Sequence, residues 1–487
     1  MWIIVFIMVL CLFIKYYLKN IFLLPISPSA ISKINLRRKF TAANSKGDFD
    51  LVIVGGGVSG LGTAAIMSRL NYKVLVLEQN EVVGGGLHTF KTNNKDNVKF
   101  EAGLHYIGND QKALDLIEFI ANTKINFKTI QGVYDQGIFP NFTINLRPGS
   151  EAWKKEFYSK FPNDIEDIEN FFDHLMIVKC FETRLFFALK VLPIPNRCIF
   201  MLQRILCRRF FYLADKTITE TFDMLNITNY DLRAAFCLQA GDHGELPSKG
   251  SFFLHACVMM HYIDGAVLLD AEKLVTSFCK QIESKGGKIL AQAKVTGTNI
   301  TENKCVSVIV NDDVEIKIPN KIVWSIPQKP RQNQGYQLFS IFLKMKPGHH
   351  IITMNKWVFL TTDFDTHDKE LNCSKDGTDI DERALFISSA TDKINQTNKD
   401  ESTLTILSTC KKHWYEKFIN LTKAERKKNS AYIEWKKKIQ QSIFLQIDKL
   451  YPRLLDFVYE INTASPLSTK DYLGFTEFYG MKLQTSK

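Results

Sequence analysis

The sequence predicts an α/β fold built on a Rossmann-type dinucleotide-binding domain. Two short apolar runs, Leu51–Val54 and Val74–Leu77, have the length and composition of buried parallel strands. A glycine motif follows the first run, a helix-compatible segment joins the two runs, and an acidic residue ends the second. This order of strand, glycine turn, helix, strand and acid is that of a βαβ dinucleotide site. It favours a dinucleotide-binding function over a glycine-rich turn of no function.

The glycine motif has the spacing that accommodates a pyrophosphate. Gly55 permits the tight turn, Gly57 lets the backbone approach a phosphate, and Gly60 lets the helix pack close to the strand. The amino terminus of that helix then faces the phosphates. Glu78, 18 residues beyond Gly60, can accept hydrogen bonds from a ribose 2′-hydroxyl. Because its carboxylate would repel a 2′-phosphate, we expect FAD or NAD in this site rather than NADP.

A second glycine cluster, Gly84-Gly85-Gly86, follows Glu78 after a short loop. Glycines at this point let the chain pass close to a bulky ligand. A flexible loop that contacts no ligand is the alternative interpretation. Taken by themselves, these residues leave both FAD and NAD open.

Three blocks of the sequence resemble one protein family. Glu78–Phe90, followed by Phe100–Gly108, resembles the retinol saturase (all-trans-retinol 13,14-reductase) branch of the flavoproteins that include carotenoid isomerases and phytoene desaturases. Gly241–Ala266 resembles the family's GD-G-P-x-x-x-S-F segment, which ends in HY-x-x-G-A. Ala464–Gly480 resembles its SPLT-x-x-x-YLG segment. The blocks occur in the family's order across nearly the whole chain.

The resemblance implies an FAD-dependent oxidoreductase that saturates one C=C bond of a retinoid or carotenoid-like lipid. It places the first glycine motif at the ADP half of FAD, and Gly84 and Gly85 near the pyrophosphate and flavin. It also implies a strand that returns to the flavin domain, in which Val295 is the expected backbone contact of the adenine. NAD or NADP is the implied electron donor, although the sequence has no second glycine motif for it. A carotenoid isomerase or desaturase-like flavoenzyme and an amine-oxidase-like flavoprotein are the alternatives.

Three departures from the family pattern leave a second hypothesis open. Leu268–Glu272 replaces a Tyr-Pro-x-Gly-Gly run that lines the flavin, so that Asp270 and Glu272 bring charge and bulk there. Ser325-Ile326-Pro327 replaces a Ser-Asn-Ala-Gly turn. The sequence stops at Lys487, where the family continues into a C-terminal FAD-binding segment. The alternative is therefore a catalytically impaired relative that binds nucleotide or lipid without turnover.

The sequence assigns no catalytic residue. No Ser-His-Asp or Cys-His arrangement is readable, and in flavoenzymes the cofactor carries the redox chemistry. Five side chains in the family-like blocks are candidates to give a proton to a substrate carbon after hydride transfer: His105, Tyr106, His255, His261 and Tyr262. For each histidine, a structural role in a hydrogen bond is the alternative.

Composition limits the classes of protein to which the chain can belong. A length of 487 residues exceeds one hydrophobic core and predicts two or three domains. The net charge is +11, but no zinc-ligand spacing or RNA-binding motif accompanies it, so we expect neither a nucleic-acid partner nor a bound metal. The ten cysteines are scattered singly, which argues against a disulfide framework. The 36 phenylalanines fit core packing, with a large apolar cleft as the alternative.

The amino-terminal residues 1–24 are mainly apolar and predict an uncleaved membrane anchor, with a cleaved signal segment or a buried helix as alternatives. Basic residues follow the apolar run and suit an anionic membrane surface. The family resemblance implies the endoplasmic reticulum membrane. The positive-inside rule places the body in the cytosol, whereas some family members have a lumenal body, so the side of the membrane stays open.

A second stretch, Phe181–Phe211, mixes aromatic and basic residues. Packing as core helix is one interpretation, and a second membrane-contacting surface at the mouth of a lipid site is the other. The basic residues are Arg184, Lys190, Arg197, Arg204, Arg208 and Arg209.

The predicted organisation is a Rossmann-type FAD-binding domain with an inserted α+β substrate domain. In chain order it comprises a membrane anchor or signal segment (1–24), a linker (25–47), the FAD/NAD-binding βαβ unit (48–110), a helix-rich substrate or membrane-facing domain (111–260), the return to the FAD-binding domain (261–334) and a second part of the substrate domain (335–487). Periodicity further predicts a helix over Lys112–Asn122, a strand over Lys288–Val295 and a final helix that stops at Pro452.

Overall fold

The computed structural model describes residues 25–92, 99–190, 192, 194–302, 304–318, 321–326, 337–395 and 401–474. The predicted anchor at 1–24, Pro327 and the part of the third family-like block beyond Gly474 lie outside these residues. Within the described ranges, no helix combines the length and the apolar character of a membrane span.

Strands and helices alternate along much of the chain. The strands are β1 (Leu51–Val54), β2 (Val74–Leu77), β3 (Thr89–Phe90), β4 (Phe100–Glu101), β5 (Ile107–Gly108), β6 (Lys128–Thr129), β7 (Asp135–Ile138), β8 (Thr143–Leu146), β9 (Ala266–Leu268), β10 (Lys288–Leu290), β11 (Val295–Thr301), β12 (Lys304–Val310), β13 (Val314–Lys317), β14 (Lys321–Trp324), β15 (Gln337–Met345), β16 (Asn355–Val358), β17 (Leu385–Ser388), β18 (Ser402–Cys410) and β19 (Val458–Ala464).

The helices are α1 (Val58–Arg69), α2 (Gln111–Ala121), α3 (Ser150–Lys160), α4 (Ile165–Leu175), α5 (Phe181–Leu189), α6 (Asn196–Leu206), α7 (Arg208–Ala214), α8 (Ile218–Met224), α9 (Tyr230–Phe236), α10 (Phe252–Tyr262), α11 (Ala271–Ser284), α12 (Phe364–Cys373), α13 (Ala390–Asn395), α14 (Lys412–Tyr415), α15 (Lys423–Lys428), α16 (Ser430–Leu450) and α17 (Pro466–Leu473). Short 3₁₀ turns lie at Gly85–Leu87, Met176–Lys179, Ala240–Asp242, Glu416–Phe418 and Leu454–Phe457.

The predicted βαβ unit is confirmed. Strands β1, β2, β10 and β14 form a parallel sheet in the order β10-β2-β1-β14. Every residue of β1 and β2 is buried, as expected for strands that are covered on both faces. Ile53 packs with Leu61 of α1 and Phe278 of α11, whereas Val52 packs with Val308 of the β11–β12–β13 meander. Alternate side chains of one strand therefore hold the helices on one face and the meander on the other.

One predicted strand is shorter than its sequence suggested. The apolar pattern predicted a strand over Lys288–Val295, but β10 ends at Leu290. Gln292 has a φ of +54°, a left-handed conformation that interrupts an extended strand. The chain then continues to Val295, which begins β11.

A second, larger sheet has the order β19-β15-β18-β17-β16-β7-β8. Its pairings are antiparallel except for β16 with β7, which is parallel. The long helix α16 packs against this sheet through a buried stripe that includes Trp435, Ile439, Ile443 and Ile447. The predicted helix is confirmed, and it ends at Leu450, shortly before the proline, but it is not the final helix because α17 follows it.

The helices from α3 to α10 enclose a core rich in phenylalanine. Phe171 stacks on Phe236 with ring centroids 3.8 Å apart, and both are buried. Phe210, Phe222 and Phe252 are also fully enclosed. Core packing therefore accounts for much of the phenylalanine excess.

We predict that Gly60→Ala destabilises the protein by about 3 kcal/mol or more, because overpacking forces the backbone to shift. A Cβ at Gly60 would lie 1.9 Å from the carbonyl oxygen of Gly55, so α1 would have to move away from β1. Thermal and urea unfolding followed by circular dichroism would measure the loss.

Gly62→Ala in the same helix is the matched control. Its Cβ would meet only Ile120 Cγ2, at 3.8 Å, which is an ordinary contact. Alanine is favoured over glycine inside a helix by roughly 0.5–1 kcal/mol, so this variant should be at least as stable as the wild type. Equal stability of the Gly60→Ala variant and the wild type would contradict the prediction.

Candidate dinucleotide site and adjoining cavity

Two of the predicted glycines are required by the turn itself. Gly55 has a φ of +107°, and a Cβ there would lie 2.8 Å from Ile326 Cγ2. Gly60 contacts the backbone of Gly55 so closely that no side chain fits between them. The tight turn and the close helix packing expected of these positions are both present.

Gly57 differs from the other two glycines because its surroundings would tolerate a side chain. Its φ is −78°, and an added Cβ would have only Gly85 Cα near it, at 4.0 Å. Gly57 is the N-cap of α1, no side chain caps this helix, and no acidic residue lies in its first turn. The unpaired N–H groups at such a helix end favour an anion.

The second glycine cluster lies against the first. Gly57 and Gly84 form a parallel β-bridge, and the Gly84 N–H donates to the Gly56 carbonyl at 2.8 Å. Gly84 and Gly85 have φ values of +126° and +55°, conformations that favour glycine. Together Gly57, Gly84 and Gly85 form a side-chain-free surface, which we call the glycine cradle. A Cβ at Gly57 would project from this surface into space that is free of other atoms within 4.0 Å, apart from Gly85 Cα.

Glu78 is positioned by the same turn. Its side chain is buried, Oε2 accepts the Gly56 N–H at 2.7 Å, and Oε1 accepts the Asn80 N–H at 2.8 Å. A carboxylate has about four lone-pair sites, so two remain for a ribose hydroxyl. Gly56, which sequence reasoning missed, is also needed for this arrangement. A Cβ there would lie 2.9 Å from Glu78 Cβ, which is too close.

Val295 lies close in the chain to a segment that is bonded to Glu78. Ala293 donates its N–H to the Glu78 carbonyl at 2.7 Å, and Val295, which is half-buried, pairs with Val310 at the start of the meander. The adenine contact at Val295 stays a prediction.

The acidic residues that depart from the family pattern have structural partners. Asp270 caps α11 by accepting the Lys273 N–H at 2.9 Å. Glu272 forms an ion pair with Lys99 and accepts a hydrogen bond from Thr89, and these interactions hold the pKa of Glu272 below its usual value, with Lys99 contributing most. A Cβ at Gly84 would lie 3.3 Å from Val275, so α11 packs directly on the glycine cradle.

A cavity of about 250 Å³ lies where the large sheet faces the segment from Cys237 to Pro247. A backbone hydrogen bond from Ala102 to the His88 carbonyl, 2.9 Å long, joins its wall at Gly103–Tyr106 to the segment after the glycine cradle. The lining is largely apolar and includes Leu104, Leu338, Trp357, Phe359, Phe386 and Leu407. The first and second family-like blocks therefore meet at one cavity.

The structure separates the five predicted proton-donor candidates. His105, Tyr106 and Tyr262 line the cavity. His255 is buried elsewhere, with Nε2 2.9 Å from the Phe236 carbonyl, and His261 Nε2 accepts the Gly108 N–H at 2.8 Å. The structural interpretation therefore applies to His255 and His261.

Four cavity side chains carry an enclosed polar atom that has no hydrogen-bond partner among the described residues: His105 Nε2, Asp242 Oδ2, Trp357 Nε1 and His367 Nε2. Burial, together with nearby Asp135, raises the pKa of Asp242 well above its usual value. Sequence reasoning missed Asp242, although the residue lies in the second family-like block. Enclosed polar atoms without partners are costly, and their presence in a cavity points to a ligand.

Tyr106, in contrast, belongs to a bonded network behind the cavity. Its hydroxyl donates to Asp135 Oδ2 at 3.0 Å, and Asp135 also accepts hydrogen bonds from Gln239 and Asn355. Lys393 donates to Asn355 Oδ1 at 2.8 Å, and burial lowers the pKa of Lys393 to about 8. These bonds fix the position of the Tyr106 ring at the cavity wall.

Comparison with known proteins bears on the fold and the class of the protein. Residues 53–119 match the family model of the NAD(P)-binding Rossmann-like domain. The chain is 24% identical to all-trans-retinol 13,14-reductase of Danio rerio over 91% of this chain and 79% of that protein. It is also 24% identical to a Danio rerio protein named inactive all-trans-retinol 13,14-reductase, over 89% of this chain and 77% of that protein.

Among solved structures, an oxidoreductase from Methanosarcina mazei has a similar fold, with a TM-score of 0.51 and 11% identity over 85% of this chain and 87% of that one. The comparisons confirm the Rossmann-type α/β fold, the oxidoreductase class and the resemblance to the retinol saturase family, which extends over about nine tenths of the chain.

The buried pair His243 and His255 predicts a loss of stability in acid. Their facing ring nitrogens are 3.3 Å apart, and burial lowers the pKa of His243 to about 3 and of His255 to about 4. The unfolded chain takes up protons near pH 6.5, before the folded chain does. The free energy of unfolding should therefore fall as pH drops below about 6.5, by up to about 1.4 kcal/mol per pH unit for each histidine.

Urea unfolding at a series of pH values from 7 to 4.5 would measure this slope. His255→Gln should make the slope shallower, because one of the two titrating groups is gone. His350→Gln, at an exposed position, is the control and should keep the wild-type slope. Equal slopes for the His255→Gln variant and the wild type would show that the buried pair is not the cause.

Proposed function

We propose that this protein is an FAD-dependent oxidoreductase that saturates a C=C bond of a retinoid, in the manner of all-trans-retinol conversion to 13,14-dihydroretinol. The observation that carries the proposal is that the chain segment after the glycine cradle is hydrogen-bonded to the wall of a largely apolar cavity. The resemblance to the retinol reductases over most of the chain supports the same reaction class.

The glycine cradle, the amino terminus of α1 and Glu78 would hold the ADP half of FAD. Gly57 and Gly85 leave room for the pyrophosphate, and the free N–H groups of α1 would neutralise its charge. When bound, the flavin supplies hydride to the substrate, and NADH or NADPH is the proposed source of electrons.

The cavity suits an apolar substrate such as a polyene. Trp357, Phe359 and Phe386 provide flat apolar walls, and burial of a polyene against them is favourable by about 25 cal/mol per Å² of apolar surface.

Saturation of a C=C bond requires a proton on one carbon in addition to hydride on the other. Among the cavity side chains with an enclosed, unbonded polar atom, His105 and Asp242 are the proposed sources of that proton, because both lie in the family-like blocks. His367 lies outside those blocks, and the Trp357 indole is a hydrogen-bond donor that keeps its proton. The raised pKa of Asp242 favours its protonated form. We propose that one of the two donates to the substrate and that the other orients it.

A second candidate function is binding without turnover. The chain is as similar to a protein named inactive as to one named reductase. Asp270 and Glu272 also stand where the family has glycines beside the flavin. Such a protein would hold nucleotide or lipid in the same places and would leave the polyene unchanged.

Purified full-length protein separates the two functions. We expect a bound-flavin absorbance spectrum and, with NADH or NADPH and all-trans-retinol, loss of the polyene absorbance. Gly57→Ala should keep the unfolding temperature of the flavin-free wild type but bind flavin at least about tenfold more weakly, because the methyl group fills the glycine cradle. Gly62→Ala is the control and should retain flavin. A colourless folded wild-type protein would refute the proposal, and bound flavin without polyene loss would favour the second function.

We predict that His105→Gln and Asp242→Asn each lower the rate of polyene saturation, the larger effect being about 10²–10⁴-fold for the residue that donates the proton. Flavin content should stay unchanged, because neither side chain lies in the glycine cradle. Flavin reduction by the nicotinamide donor, followed separately by stopped-flow absorbance, should also be unaffected. If both variants saturate the polyene at the wild-type rate, another group supplies the proton.

A further inference from the structure

Helix α6 exposes apolar residues and buries a polar one. Met201 and Ile205 are 58% and 65% exposed, whereas Gln203 between them is 3% exposed. The Gln203 side-chain amide donates to the Phe186 carbonyl at 2.7 Å, which ties α6 to α5. Met201, Leu202 and Ile205 lie within one stripe of the helix surface, because residues four apart are neighbours on a helix. A soluble surface helix normally has the opposite arrangement.

The neighbouring helices extend this apolar exposure. Phe181 and Phe187 of α5 are 65% and 51% exposed, and Tyr212 of α7 is 57% exposed. Helices α5 and α7 pack on each other through Phe186 and Phe210, whose ring centroids are 4.1 Å apart, and α6 contacts α7 through Phe200 and Phe211. We call the exposed residues of Phe181–Ala214 the α5–α7 surface. Some aromatic side chains of this stretch therefore form core, as the first interpretation predicted, and others face outward.

The same surface is strongly basic. Residues 176–216 contain eight Lys or Arg and two acidic residues. Both acids are already engaged: Glu182 accepts N–H groups at the start of α7, and Asp215 pairs with Arg204. Four arginines of this surface are exposed and form no ion pair within the described part of the chain: Arg184, Arg197, Arg208 and Arg209.

We propose that the α5–α7 surface docks on an anionic lipid membrane. Apolar side chains that insert at the headgroup boundary, flanked by arginines that meet lipid phosphates, are the pattern of an interfacial membrane contact. A second copy of this chain would bring like charges together, which opposes self-association. The docking does not depend on the proposed reaction, although a membrane is a source of apolar substrates.

Hydrogen–deuterium exchange of the full-length protein, with and without vesicles, tests the surface by location. Vesicles of phosphatidylcholine with phosphatidylserine should protect peptides from α5–α7, and vesicles of phosphatidylcholine alone should protect them less. The readout is local, so membrane binding by residues 1–24 cannot produce it. No protection in α5–α7, or equal protection by both vesicles, would overturn the proposal. Protection that rises with protein concentration in the absence of vesicles would indicate self-association and would also overturn it.

Paired variants test the apolar residues. Met201→Asp with Ile205→Asp should reduce the vesicle-induced protection of α5–α7 at least about tenfold, without a change in unfolding temperature, because both side chains are exposed. Ile433→Asp with Leu445→Asp on α16 is the matched control, since these side chains are 50% and 68% exposed beside a basic segment. If the double variant on α6 keeps the wild-type protection of α5–α7, the docking lies elsewhere. The same conclusion follows if only the double variant on α16 loses that protection.

Discussion

The close approach of backbone segments at the glycine turn is the constraint on which the rest of the structure depends. The Gly60 position leaves no space for a Cβ against the Gly55 carbonyl, and Gly56 leaves little against Glu78. These contacts fix α1 to β1 and place the carboxylate of Glu78 at the end of β2. The glycine cradle is a consequence of the same packing, because Gly57 and Gly85 then lie close together with no side chain between them.

The cavity combines apolar walls and polar atoms that come from different parts of the fold. Its apolar walls come from the large sheet, whereas its polar atoms come from segments that lead away from the glycine cradle and from α9. The network around Asp135 satisfies its buried groups and fixes Tyr106. In contrast, His105 Nε2 and Asp242 Oδ2 are enclosed without a hydrogen-bond partner, which costs free energy of folding. This contrast is the physical reason to propose that the two side chains contact a ligand.

The α5–α7 surface exposes apolar side chains and buries a polar one, which is the reverse of an ordinary protein surface. Its helices bury Gln203 and expose Met201 and Ile205, so the sequence of α6 is not explained by packing on the protein core alone. An interface with lipid gives those side chains an apolar environment and gives the surrounding arginines an anionic partner. The surface and the cavity are separate features and can be altered independently.

The sequence by itself determined the local units: the βαβ unit, from glycine spacing between two apolar runs, and α16, from a stripe at helical spacing. It also carried the family resemblance, because motifs are contiguous in the chain. Only the tertiary structure decided that His105 reaches the cavity while His255 does not, and that Asp242 belongs to the site. A single acid has no periodic signal, and its pKa rises only when distant segments pack around it and exclude water.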